Sequence, residues 1–203
     1  MDSLLLKAIK TMAQLPGFGP RSAQRAMLFA LKNEGFFLDQ LISNLESVRK
    51  NIKKCQICGN FSCSDICSVC LDPKRTKHQL CIIESVSDLW TIERANFFNG
   101  KFHILGGILS AIDGISPNQL NTETLLNRIE NEGITEVIIA LSATIEGQTT
   151  MYYIAELLSG KDINVFSLAQ GIPIGGELNY LDDGTLSAAF LDKREVILSK
   201  KIA

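Results

Sequence analysis

The sequence predicts a multidomain α/β protein with four parts: an N-terminal helical hairpin domain, a small cysteine-built module, a parallel α/β domain and a C-terminal hairpin or tail. Three observations predict it. Apolar residues recur at helical spacing on both sides of a Pro-Gly turn near the start. Five of the six cysteines fall between Cys55 and Cys70. From Leu80 to about Leu168, short apolar runs alternate with helix signals, the pattern of a mainly parallel sheet flanked by helices. The expected boundaries are 1–53, 54–71, 79–174 and 175–203.

The first part carries helical apolar spacing at Leu4, Leu5, Ala8, Ile9 and Met12, then at Ala23, Ala26, Met27 and Ala30. Between the two stretches lies Leu15-Pro16-Gly17-Phe18-Gly19-Pro20-Arg21. Gly17 and Gly19 permit backbone angles closed to other residues, and Pro20 suits the first turn of a helix, where its missing N–H costs nothing. Such a turn points free amides at solvent, where the helix dipole favours a phosphate. Arg21 and Arg25 are four apart and share the helical face beside that site. An ordinary tight connection between helices is the plainer reading. The doubled glycine, the basic pair and the basic surroundings favour phosphate-backbone recognition, which gives affinity without base sequence.

Cys55-x2-Cys58-x8-Cys67-x2-Cys70 is a pair of knuckles separated by a loop. Four thiolates at about 2.3 Å make a closed tetrahedral Zn²⁺ site, one ion per chain, with no position for water and therefore a structural role. Disulfides are rare in a reducing cytosol, which also favours metal. Cys63 could replace one ligand, although the symmetric pairs favour it as a spare thiol. Cys81, in an apolar run, reads as core. Arg49, Lys50, Lys53 and Lys54 precede the module, and Lys74, Arg75 and Lys77 follow it, as if extending a track for a polyanion.

In the third part, Leu80-Cys81-Ile82-Ile83 reads as a buried strand, with Ser87 capping a helix through Phe97. His103-Ile104-Leu105 is a second strand. Thr122 starts a helix that Gly133 ends. Val137 to Leu141 is a third strand, Thr149 to Leu158 a helix closed by Gly160, and Ile163 to Leu168 a fourth strand. Glu84 follows the first strand, and Ser142, Thr144 and Glu146 follow the third. Both groups therefore sit at strand C-terminal ends, where open parallel sheets form ligand sites. The tail carries an Asp183-Gly184 hairpin signal.

Charge is distributed unevenly. Residues 1–80 hold 12 Lys and Arg against 6 Asp and Glu, whereas residues 81–203 hold 8 against 16, although the net charge is only −2. Polyanion binding thus belongs to the first part. No apolar run approaches the roughly 18 residues of a membrane span, and the Leu4-Leu5-Leu6 run lacks the flanks of a signal peptide. A cytoplasmic protein is expected.

The whole chain resembles the RecR family of recombination mediators. The resemblance rests on Leu15 to Arg25, the Cys55/Cys58/Cys67/Cys70 quartet, Leu109-Ser110-Ala111-Ile112-Asp113-Gly114-Ile115, Glu146-Gly147, and Gly171-Ile172-Pro173-Ile174-Gly175-Gly176-Glu177-Leu178. It implies a helix-hairpin-helix, a four-cysteine zinc finger, a Toprim domain and a C-terminal segment that serves as an oligomer contact. It also implies a homo-oligomer, dimer or ring tetramer, that can encircle DNA. The implied partners are RecO and RecF, and the implied task is helping RecA replace single-strand-binding protein on single-stranded DNA.

Catalytic Toprim domains hold Mg²⁺ with a Glu and an Asp-x-Asp pair. Glu84 resembles that Glu, but Ser142 and Thr144 stand at the aspartate positions and supply no charge at pH 7. The expectation is a Toprim fold without its usual chemistry, with Glu84 and Glu146 facing RecO. His78 and His103 read as structural or solvated. The competing readings are a Mg²⁺-dependent Toprim nuclease or primase-like enzyme, and a zinc-built scaffold that binds protein.

Overall fold

The computed structural model describes residues 2–193. The chain divides into two compact units, 1–53 and 54–203.

In the first unit, helices α1 (Ser3–Met12) and α2 (Pro20–Lys32) form the hairpin, and a π-type turn at Glu34–Leu38 leads into α3 (Asp39–Asn51). Asp2 caps α1 by accepting the Leu4 amide at 2.8 Å. Small residues let the two hairpin helices close together: Ala23 and Ala30 of α2 are buried, as is Ile9 of α1. Little else is. No residue of α3 is buried, and Leu28, Phe29, Phe36, Ile42, Leu45 and Val48 are exposed.

The second unit is built on a four-stranded parallel sheet. Its strands are β1 (Gln79–Ile83), β2 (Lys101–Ile104), β3 (Glu136–Ala140) and β4 (Asn164–Ser167), in spatial order β2-β1-β3-β4. In register, Ile83 lies beside both Ile104 and Ala140. The helices are α4 (Ser68–Leu71), α5 (Val86–Ala95), α6 (Thr122–Asn131), α7 (Ile145–Leu157) and α8 (Asp183–Leu191).

Strand period two sorts β1 between two cores. Leu80 and Ile82 pack with Leu125 and Ile129 of α6 and Ile154 of α7. Cys81 and Ile83 pack with Leu89 of α5 and with Phe102 and Ile104 of β2. Burial on both faces explains why β1 is apolar without alternation. Each fully buried Leu or Ile contributes on the order of 1.5–3 kcal/mol.

Several boundaries differ from the sequence expectation. Ser85, not Ser87, caps α5 in a capping box. Its hydroxyl meets the Asp88 carboxylate, which also accepts the Ser85 amide at 2.8 Å. The helix stops at Ala95, with Asn96 left-handed at φ 53°. Helix α7 begins at Ile145, four residues before the expected Thr149, because Thr144 caps it. Asp183-Gly184 does not close a hairpin. It forms the first turn of α8, whose cap Asp182 accepts the Thr185 amide at 3.0 Å. Of the C-terminal segment 175–203, residues 194–203 lie outside the described residues.

Candidate functional site

The cysteine cluster is assembled by two turns. Gly59, at φ 81°, lets the chain reverse after Cys58, with its amide donating to the Cys55 carbonyl at 2.9 Å. The Asn60 amide then reaches the Cys58 sulfur at 3.5 Å, and the Cys67 amide reaches the Cys55 sulfur at 3.3 Å. Sulfurs of Cys55, Cys58, Cys67 and Cys70 all lie within 4.8 Å of one another. The Cys58–Cys67 separation is 3.6 Å and the Cys55–Cys70 separation 3.9 Å. A tetrahedron of sulfurs about 2.3 Å from a central ion has edges of about 3.8 Å, so the quartet fits a thiophilic divalent cation. Cys63 is exposed and outside the quartet.

The electrostatics agree. Hydrogen bonding from Cys70 holds the Cys58 thiol down to about 5. Cys70 is pushed up, first by that same bond and then by burial. The Cys58 thiolate thus opposes ionisation of Cys70, and a bound cation would relieve that opposition.

The cluster is joined to the sheet. The Ile104 amide, at the end of β2, donates to the Cys58 carbonyl at 2.9 Å. Val69 packs against both the cysteine core and the β1/β2 core.

In the helical unit, Gly17 sits at φ 79° and the Phe18 amide closes the turn on the Leu15 carbonyl at 3.0 Å. Gly19 is the N-cap of α2, with no side-chain hydrogen bond to the first turn, and Pro20 follows at the first helical position. Nothing lies within 4 Å of a Cβ built on Gly17 or Gly19. Gly19 has an ordinary φ of −76°, so the protein's own packing does not demand glycine there. Arg21 and Arg25 are exposed on α2.

At the C-terminal end of the sheet, Glu84 follows β1, and Ser142, Thr144 and Glu146 follow the adjacent β3. Burial raises the Glu84 carboxyl, and Asp88 raises it further. The Thr144 hydroxyl accepts the Gly147 amide at 3.1 Å and lies 3.2 Å from the Ser142 hydroxyl. It is therefore engaged as a helix cap. Among the described residues, the cysteine quartet is the one group of three or more Cys, His, Asp or Glu placed to hold a metal. The acids at the sheet end form no such group.

Sequence reading missed three supports. A Cβ on Gly147 would lie 2.0 Å from the Ser142 carbonyl oxygen, so this glycine is required by close approach. Thr150 accepts the Leu109 amide at 2.8 Å and donates to the Glu146 carbonyl at 2.7 Å, fastening the Leu109–Ile115 loop to α7. Arg75, expected on the polyanion track, is instead tied inward. It pairs with Glu93, donates to the Gly100 carbonyl at 3.0 Å and lies over the Phe102 ring. The Ser85-x-x-Asp88 pattern was the one visible signal among the missed features; Thr150 and Arg75 depend on partners distant in sequence, and Gly147 on the course of the turn at Ser142.

Residues 78–169 match the Toprim domain model, and residues 171–194 match the model described as RecR, C-terminal. "Recombination protein RecR" of Cereibacter sphaeroides (strain ATCC 17025 / ATH 2.4.3) is 48% identical over 93% of this chain and 94% of its own. The chain belongs to the RecR family. Proteins of the same name from Ruegeria sp. (strain TM1040) and Paracoccus denitrificans (strain Pd 1222) are each 50% identical over the same shares. In this RecR-family chain the Toprim match spans all four strands, and the C-terminal match contains α8. No helix among the described residues is long and apolar enough to cross a membrane.

Proposed function

We propose that the chain is a DNA-binding mediator of recombinational repair in the cytoplasm, and not a catalyst. The observation that carries this reading is the start of α2. Gly17 and Gly19 leave bare backbone there, the first-turn amides have no side-chain cap, and Arg21 and Arg25 stand exposed beside them. A phosphate oxygen can approach bare backbone closely and accept those amides, with the helix dipole and two guanidinium groups behind them. None of these groups reads a base, so binding is independent of sequence.

The remaining parts serve that task. Zn²⁺ held by Cys55, Cys58, Cys67 and Cys70 is structural, because four thiolates leave no open coordination position. Family membership supports RecO and RecF as partners and RecA loading on single-stranded DNA as the outcome. Glu84 and Glu146 supply the acidic surface for RecO. The apolar residues left exposed on α2 and α3 support a homo-oligomer, dimer or ring tetramer, with residues 175–203 as a further contact between copies.

The test is a gel shift on duplexes of unrelated sequence, with an Arg21→Ala/Arg25→Ala variant alongside. The variant should bind all sequences more weakly, and its salt slope should flatten by up to about 2 units. Unchanged binding would remove this surface from the account.

A further inference from the structure

We propose that the outer face of α5, together with the loop at Lys74–Lys77, is a stacking platform for single-stranded nucleic acid. Trp90 is 60% exposed and Phe97 is 77% exposed, although both are large aromatic residues. Trp90 lies on α5 four residues before exposed Arg94, and Phe97 follows the helix just past its left-handed end at Asn96. The next residue, Phe98, turns inward and packs edge-on against Phe102, with ring centroids 5.2 Å apart. The outward placement of Phe97 therefore leaves the neighbouring core filled.

The basic loop is fastened to this end of the helix. The Thr76 amide donates to the Asn99 carbonyl at 2.8 Å, and the Asn99 side-chain amide donates to the Lys74 carbonyl at 3.2 Å. Arg75 reaches Gly100 and Glu93. Lys74 and Lys77, both exposed, are thus held within a few residues of Phe97.

Charge decides what kind of partner fits. In the described part of residues 54–203, Arg75, Lys101, Arg128 and Lys161 are all paired with carboxylates. Lys54, Lys74, Lys77 and Arg94 enter no ion pair; Lys74 and Lys77 belong to the loop tied to Asn99, and Arg94 lies three residues before Phe97. The nearby acids Asp72 and Glu93 are both held by Arg75, and Asp88 is turned into the Ser85 capping box. Free cations beside unpacked aromatic rings suit a ligand with anionic phosphates and bare base faces. Duplex DNA offers the phosphates, but its bases are already stacked. An apolar protein surface would use the rings but leave three cations without an ion-pair partner.

This proposal rests on the DNA-binding reading, yet it uses residues outside the helical hairpin, so the two fail separately. Trp90 is the only tryptophan in the chain and reports on the platform directly. Titrating the full-length protein with oligo(dT) should quench Trp90 fluorescence, and a mixed-sequence duplex should not. Phe97→Ala, at an exposed position, should weaken the quenching isotherm roughly tenfold. Lys74→Ala/Lys77→Ala should weaken it and flatten its salt slope by about 1 unit. The Arg21→Ala/Arg25→Ala variant should weaken the duplex gel shift and keep oligo(dT) quenching. If oligo(dT) shifts the protein in gels but leaves Trp90 emission unchanged, the platform is overturned while DNA binding stands. It is also overturned if Phe97→Ala and the lysine pair leave the quenching isotherm unmoved, or if quenching comes only from an added protein.

Discussion

His103 lies on β2 with none of its surface exposed. Its Nε2 donates to the Asn121 carbonyl at 2.7 Å, and its Nδ1 has no partner. A proton on Nδ1 would have no acceptor, and burial, reinforced by the charge of Arg128, lowers the group to about 4. The unfolded chain takes up that proton near the ordinary 6.5. The folded state's advantage is therefore complete above pH 6.5 and is lost as pH falls from 6.5 to 4, by roughly 3 kcal/mol. Urea denaturation should show about 2 kcal/mol of this loss between pH 7 and pH 5, and His103→Gln should shrink it. Both proteins carry the same thiol cluster, so its own acid sensitivity cancels in the comparison. An equal pH effect in the variant would refute the assignment. Gly147 is the second residue with a sharp expectation. Gly→Ala inside a helix normally gains about 0.5–1 kcal/mol, but here the new methyl meets a backbone carbonyl at 2.0 Å that cannot swing aside. Overpacking of this kind costs about 1–3 kcal/mol, so Gly147→Ala should lower the denaturation midpoint. A raised midpoint would show that the Ser142 turn yields freely.

At the level of elements, the cysteine module makes the strongest demand. Purified protein should contain one zinc per chain, and Cys67→Ser should lose it while Cys63→Ser retains it. Because the Ile104 amide bonds to the Cys58 carbonyl, chelation should also raise hydrogen exchange at the end of β2. Zinc retained in full by Cys67→Ser would replace the ligand set. The quartet and the sheet strands were legible because their signals are local: x2 spacing, and apolar runs such as Leu80–Ile83. The hairpin turn was legible for the same reason. Helix starts were less so, since Ser85 and Ser87 are equally good caps by type and only Asp88 decides between them. Asp183-Gly184 misled because a hairpin turn and a helix's first turn favour the same residues, and Asp182 settles the choice in favour of the helix. The inward turn of Arg75 could not be read at all, because Glu93 and Gly100 are brought to it by the fold.

Across the whole molecule, charge separates into a basic front and an acidic back, and the acidic part carries the Toprim match. Mg²⁺ sheds water reluctantly and needs anionic oxygens to be held beside phosphate. The sheet end offers hydroxyls at Ser142 and Thr144, one of them engaged as a cap. We expect no Mg²⁺-dependent cleavage, joining or primer synthesis from the native protein or from Glu146→Gln, and weaker RecO binding in the variant. Metal-dependent product from the native protein that vanishes in the variant would make it an enzyme. The strand order has a further consequence, in the timing of synthesis. The central strand β1 meets β2 about 20 residues later, but its other edge waits for β3, whose Ala140 pairs with Ile83. A ribosome that has released the first 130 residues has therefore freed the helical unit and the whole cysteine module. It has released only half of the sheet. Metal capture can precede closure of the core, and the nascent chain carries β1 with one edge open until its third strand emerges.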